Sequence, residues 1–154
     1  MRLANKTIVI TGSSSGIGEA AAAMCRREGA TVIGIDRAAG THTTVLADTS
    51  DEQQVRKAFE QIHALDVLVT CAGIAYRKPA AEQDVEGWDE LMRVNVRGTF
   101  LCSKYAIPRM PKGGSIMHLS SVVGVTGVRN RAAYSTTKGA IVALTRNMAL
   151  DYAA

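Results

Sequence analysis

In the stretch AAYSTTKGA, residues 132 to 140, a phenol and an amine stand four positions apart, at Tyr134 and Lys138. Four residues make about one helical turn, so in a helix the two side chains lie one above the other on a shared face. An ammonium held beside a phenol favours the phenolate, which is a route to a tyrosine that exchanges protons near neutral pH. Ser121 stands 13 residues upstream of the tyrosine.

A second group of residues points to a ligand. The stretch TGSSSGIGEA, residues 11 to 20, carries Gly12, Gly16 and Gly18 between an apolar run and an alanine-rich one. Glycines at a strand-to-helix turn let backbone approach a pyrophosphate, and the helix N-terminus presents free N–H groups and a partial positive charge to it. The spacing is GxxxGxG rather than GxGxxG, and such glycines also serve plain turn chemistry. Asp36 weighs on the choice. It closes the next apolar run 18 residues after Gly18, near the roughly 20 expected of a carboxylate that binds an adenosine ribose. A carboxylate there accepts from the ribose hydroxyls and repels a 2'-phosphate, and Ser13 and Ser14 stand where a basic residue would otherwise be. Both features argue for NAD over NADP, although a strand-ending Asp is also an ordinary turn residue. Arg37 is the dissenting charge, placed in solvent, near the adenine or against a 2'-phosphate.

The elements that must position these groups alternate in type. TIVIT (7 to 11) reads as a buried strand, followed by the glycine loop and a helix to about Glu28, ended by Gly29. TVIGI (31 to 35) is a second strand and TTVLA (43 to 47) a weaker third, with room only for a loop or a single turn between Asp36 and Thr44. A helix from about Asp51 to His63 with Ser50 as cap leads to a fourth strand, DVLVT (66 to 70). A long helical region from about Val85 to Ile107 ends before Pro108, SIMHLS (115 to 120) is the fifth strand, and 132 to 152 form the last helix. This alternation predicts an α/β fold, a parallel sheet covered on both faces.

Composition removes other classes. With 154 residues, 47% hydrophobic and 21% charged, the chain fits one globular domain with its own core rather than disorder. The net charge is +4, but Lys and Arg are scattered and aromatics are only 5%, which argues against a nucleic-acid surface. Cys25, Cys71 and Cys102 form no CxxC pair and His42, His63 and His118 lie far apart, so neither a disulfide framework nor a zinc site is expected. The apolar run before Thr11 is too short for a signal peptide or membrane span, and a reducing cytoplasm is the expected compartment.

Thr11-Gly12-x-x-x-Gly16-x-Gly18, Asp48, Ala72-Gly73, Asn95, Ser121 and Tyr134-x-x-x-Lys138 together resemble the short-chain dehydrogenase/reductase family in order and spacing, over nearly the whole chain. The resemblance implies a doubly wound parallel sheet of Rossmann type, with NAD held by Gly12, Ser14, Gly16, Ile17, Gly18, Asp36, Asp48, Thr49, Ala72, Gly73, Tyr134 and Lys138. It implies a catalytic tetrad: Tyr134 as acid/base, Lys138 assisting it and binding the nicotinamide ribose, Ser121 holding the substrate oxygen, and Asn95 fixing a relay water. The substrate class is then a small-molecule secondary alcohol or ketone, with no nucleic-acid or membrane partner. Homo-oligomers, dimers or tetramers, would pair the helices around 85 to 107 and 132 to 152.

Plainer roles stand beside these. Ser121 also suits a strand end, Asn95 a helix kink bonded to backbone, His118 a packed strand position, Trp88 and Met92 core or interface packing, and Cys71 a small buried hydrophobe. GVRNRAAYSTTKGA is similar to a subgroup acting on small hydroxy acids and deoxy sugar acids, the 3-hydroxybutyrate and 2-keto-3-deoxy-fuconate dehydrogenases. Arg131 would then face a substrate carboxylate, or else lie solvated in the loop.

Two departures from the family pattern stand out. TCAG places Thr70 where an Asn usually ties neighbouring strands. The chain stops after the helix that follows the fifth strand, whereas family members continue into further strands and a substrate-covering segment. We expect the sequence to represent part of a longer enzyme. The alternative is a catalytically silent nucleotide-binding or scaffold fragment.

Overall fold

The computed structural model describes residues 1–111 and 113–153. Its centre is β1 (Thr7–Thr11), where Val9 and Ile10 are wholly buried because the strand has neighbours on both sides. β2 (Thr31–Asp36) lies on one side and β4 (Val67–Thr70) on the other, all parallel, with Val9 in register with Ile33 and Leu68. β3 (Val45–Leu46) and β5 (Ser115–His118) form the edges, giving the five-stranded order β3-β2-β1-β4-β5. This is the doubly wound, Rossmann-type arrangement. The order reverses between β1 and β4, so the carboxyl ends of these strands flank a crevice suited to a ligand.

Side-chain alternation divides the core. Val9, Ile35 and Leu68 face Val55 and Phe59 of α2 (Glu52–Glu60) and Leu101 and Ala106 of α4 (Gly98–Ala106). Ile8, Ile10 and Val32 face Ala22 of α1 (Gly16–Arg27). This second face thins toward β5, where Met117 is 52% exposed. The parallel sheet with helices on both sides follows the expectation from alternating elements.

Several boundaries moved for physical reasons. α2 is capped by Asp51, whose carboxylate accepts from the amides of Gln53 and Gln54; Ser50 instead bonds Asp48. α2 also ends at Glu60 rather than His63. The third strand shrinks to two residues. The long helical region is not one helix: α3 (Val85–Leu91) runs into a π-helical turn (Met92–Arg97) and then α4. The Thr99 hydroxyl donates to Asn95 O at 2.8 Å inside that turn, the kind of local insertion that distorts a helix. Pro108 does not stop the chain's winding either, because it sits in the first turn of a 3₁₀ segment, Ile107–Arg109, where a missing N–H costs nothing. Trp88 is partly exposed and not a core residue. His118 is a packed cross-brace: its ring nitrogens lie 2.9 Å from Ser103 Oγ and 2.9 Å from Thr145 Oγ1, and burial pushes its imidazole below the ordinary histidine value.

Thr70 carries a consequence of its departure from Asn. It is 3% exposed, and its hydroxyl is buried without a hydrogen-bond partner. An orphaned buried hydroxyl costs about 1–3 kcal/mol relative to an apolar group of the same shape. Thr70→Val should therefore stabilise the protein by about 1 kcal/mol in urea unfolding; a loss of stability would show that the hydroxyl has a partner after all.

Candidate active site

The crevice between β1 and β4 opens into a cavity of about 540 Å³. Its floor is built by close approach of backbones. Gly12 has φ +71°, and a Cβ there would lie 2.7 Å from Ala72 N. A Cβ on Gly18 would overlap the carbonyl oxygen of Gly12, so the first turn of α1 can press onto the end of β1 only because Gly18 lacks a side chain. Gly16 starts α1 with φ +58° and has open space around it. The N-cap Ser15 makes no side-chain cap bond, and Ser14, Ile17 and Gly18 at this helix N-terminus stand in the cavity wall. That is a ready site for an anion such as a diphosphate.

One end of the cavity is acidic. Asp36 Oδ2 accepts from Ser14 N and Oδ1 from Ala38 N, each at 3.0 Å. Partial burial pushes this carboxyl up, but the amides of Ala38 and Ser14 outweigh it and hold it below the ordinary Asp value. Each oxygen keeps a lone pair for a hydroxyl. Asp48 Oδ1 accepts from the Ser50 amide at 2.9 Å and its hydroxyl at 2.6 Å, and Oδ2 takes the Arg93 guanidinium at 3.2 Å. Here too burial raises the carboxyl, while Ser50 and Arg93 bring it below its usual value. Thr49 is buried beside it.

The other end holds the phenol and the amine, both supplied by α5 (Ala132–Asp151). Lys138 is 6% exposed; its Nζ donates to Leu119 O at 2.7 Å and lies 5.7 Å from the centre of the Tyr134 ring. Arg131 approaches the same ring, with Cζ 5.4 Å from its centre. Burial pushes the Lys138 ammonium below the ordinary lysine value, and nearby Cys71 opposes that. Cys71 itself is half-buried in the cavity wall, its thiol pushed up by burial.

Every residue expected to bind the cofactor, from Gly12 to Lys138, lines this one cavity. Ser121 and Asn95 behave differently. Ser121 caps a short turn, Val122–Gly124, its Oγ accepting from Val123 N at 3.4 Å, and it is not among the cavity-lining residues. Asn95 is 1% exposed: Oδ1 accepts from Ile74 N at 2.8 Å, and Nδ2 donates to Ile74 O at 2.9 Å and Thr137 Oγ1 at 3.0 Å. Both N–H groups are occupied within the protein. This is the backbone-bonded position beside a helix kink. Sequence reasoning missed Thr137 and Leu119, the partners that fix Asn95 and Lys138. The adjacency of Thr137 to Lys138 in STTKGA was the available signal for the first; nothing in the sequence marks the carbonyl of an apolar residue as a lysine's partner.

A glycine-floored cavity at the switch point of a parallel sheet, lined by a strand-ending carboxylate and a tyrosine–lysine pair, is the arrangement of a Rossmann-type oxidoreductase domain. The chain belongs to the short chain dehydrogenase family, whose pattern matches residues 6–154. It is 40% identical over 171 aligned positions to 2-(S)-hydroxypropyl-CoM dehydrogenase 3 of Xanthobacter autotrophicus, covering 98% of this chain and 67% of that protein. It is 36% identical to cis-4-hydroxycyclohexanecarboxylate dehydrogenase of Sinomonas cyclohexanicum, over 98% of this chain and 69% of the relative. Among solved structures, ligand-free aldohexose dehydrogenase of Thermoplasma acidophilum superposes with a TM-score of 0.93 at 32% identity, covering 98% of this chain and 63% of its own. The chain thus spans about two thirds of the length of the relatives it matches. Among the described residues no helix is long and apolar enough to cross a membrane, and no group of side chains could hold a metal ion.

The buried lysine has a measurable signature. Its native proton affinity is lower than that of the unfolded chain, so below the ordinary value of 10.5 the unfolded state binds more protons at this site and stability rises with pH. Unfolding of wild type and Lys138→Met compared between neutral pH and pH about 10 should show the wild type gaining on the variant as pH rises. A pH-independent difference would contradict the buried ammonium.

Proposed function

We propose that this chain carries the cofactor site and acid/base machinery of an NAD-dependent oxidoreductase that interconverts a secondary alcohol and a ketone. The observation that carries the reading is the shared cavity: Tyr134 and Lys138 line the same glycine-floored crevice as Asp36. The dinucleotide, when bound, supplies the hydride acceptor or donor. Gly12, Gly16 and the uncapped start of α1 receive its diphosphate, and Asp36 accepts from the adenosine ribose and repels a 2'-phosphate, which favours NAD. Lys138 also binds the nicotinamide ribose in this reading.

At the substrate, Tyr134 takes the hydroxyl proton in oxidation and returns it in reduction, with the Lys138 ammonium beside its ring. Ser121 Oγ accepts from Val123 N and keeps its own proton, which it can donate to the substrate oxygen. Asn95 acts as a positioning residue, tying Ile74 to α5 through Thr137. A small hydroxy acid or sugar acid, as in the hydroxybutyrate and keto-deoxy-fuconate subgroup, suits the cation of Arg131 beside the Tyr134 ring. The names of the relatives above, a hydroxypropyl and a hydroxycyclohexanecarboxylate dehydrogenase, are in keeping with that class. Homodimers or tetramers built on the 85–106 and 132–151 helices belong to the same proposal, supported by the exposed Phe100 and Trp88. So does a reducing, cytoplasmic compartment, in keeping with the free cysteines.

A second reading, a nucleotide-binding or scaffold fragment without turnover, is favoured by Ser121 lying outside the cavity wall. NADH absorbance followed over a panel of hydroxy acids, sugar acids and neutral alcohols separates the two. Turnover that falls about 10²–10⁴-fold in Tyr134→Phe while NAD binding persists supports the enzyme; NAD binding with no turnover in the wild type supports the fragment. Arg131→Ala should raise KM for hydroxy acids about tenfold while leaving neutral alcohols unchanged. Equal effects on both would remove the carboxylate role.

A further inference from the structure

β2 and β3 are joined by residues 37–44 without a helix, and this short crossover folds back onto the glycine loop. It turns at Gly40, whose carbonyl accepts from Thr43 N at 3.1 Å. A Cβ on Gly40 would lie 2.6 Å from Ser14 Cα, 2.9 Å from Ser14 Cβ and 3.1 Å from Ser14 O. Those atoms are backbone or attached directly to it, so they cannot swing aside as the tip of a long side chain would. Gly40 lies outside the left-handed region, so contact and not conformation calls for glycine there. The rest of the crossover is anchored. Thr43 Oγ1 is 3.2 Å from the hydroxyl of the fully buried Ser13, and Thr44 N donates to Gly34 O at 2.8 Å. The start of the crossover is fixed too, since Ala38 N donates to Asp36 Oδ1.

We propose that the 37–44 crossover, through Gly40, is a positioning element for the nucleotide: it holds Ser14 where its amide orients the Asp36 carboxylate, and so sets the cavity's affinity for the adenosine half of a dinucleotide. The proposal rests on the reading of the cavity as a dinucleotide site. A methyl group at position 40 has to displace either the crossover or Ser14. The crossover is tied to Ser13, Gly34 and Asp36, so Ser14 yields and its amide leaves Asp36 Oδ2. Asp36 and Asp48 are the acids of this wall and Arg37 the cation next to Asp36.

Calorimetric titration with AMP and with NAD tests this on wild type, Gly40→Ala, Thr43→Val and Gly127→Ala, the last a control with nothing near the added methyl. Gly40→Ala should bind both ligands about tenfold more weakly. The acid limb of its NAD binding should also move to higher pH, because Asp36 without the Ser14 amide keeps its proton longer. Thr43→Val, which removes only the hydroxyl facing Ser13, should weaken both ligands about threefold, and Gly127→Ala should match the wild type. Wild-type affinity in Gly40→Ala, or weaker binding with an unmoved acid limb, overturns the proposal and leaves the dinucleotide reading standing. If Gly40→Ala fails to fold, wild-type affinity in Thr43→Val overturns it. A wild-type protein that binds neither AMP nor NAD removes the dinucleotide reading, and this inference with it.

Discussion

The bond from Lys138 Nζ to the carbonyl of Leu119, 2.7 Å long, is the constraint on which the site depends. An ammonium that is 6% exposed must be held by a partner, since leaving it unpaired would cost several kcal/mol. The partner is main chain just beyond β5, so burying the lysine locks α5 onto the end of the sheet. Ser120 repeats the tie in the opposite direction, its hydroxyl donating to Lys138 O at 2.8 Å. Tyr134, one turn earlier on the same helix, inherits its place in the cavity from this clasp. The phenol is therefore aimed by packing rather than by a hydrogen bond of its own.

The π-helical turn between α3 and α4 performs the matching task for the opposite wall. The extra residue in a wide turn rotates its side chains relative to the flanking α-helix, and such turns recur at functional sites. Here Arg93 reaches Asp48 at one end of the cavity, while Asn95 reaches Ile74 and Thr137 near the other. A single irregular segment thus touches both halves of the site. Gly73 permits the crowding: a Cβ there would lie 3.1 Å from Asn95 Oδ1 and 3.9 Å from Lys138 Nζ.

The sheet explains why the two halves meet at all. The chain runs from β1 through β2 to β3 and then back to β4 on the other side of β1, leaving the ends of β1 and β4 uncovered by a connection. The glycine turn after β1 and the Ala72-Gly73 turn after β4 fill that gap with backbone alone. The short β2–β3 connection lies against Ser13 and Ser14 as a loop rather than a helix.

Local chemistry was readable from the chain itself. The alternation of apolar runs with helical segments, the glycines after the first strand, the strand-ending Asp36 and the one-turn spacing of Tyr134 and Lys138 are short-range properties, set by steric and periodic rules acting over a few residues. They determined the parallel fold and picked out residues that all line one cavity. Contacts across long sequence separations were not readable. That Asn95 turns its amide to Ile74 and Thr137, that Lys138 finds the carbonyl of Leu119, and that Thr70 is left with an unmatched hydroxyl were decided when distant segments competed for the same donors and acceptors. Sequence spacing fixes which groups can share a face, and only tertiary packing decides which polar partner each buried group finds, because each donor can satisfy one acceptor well and the losers are chosen by the whole fold at once.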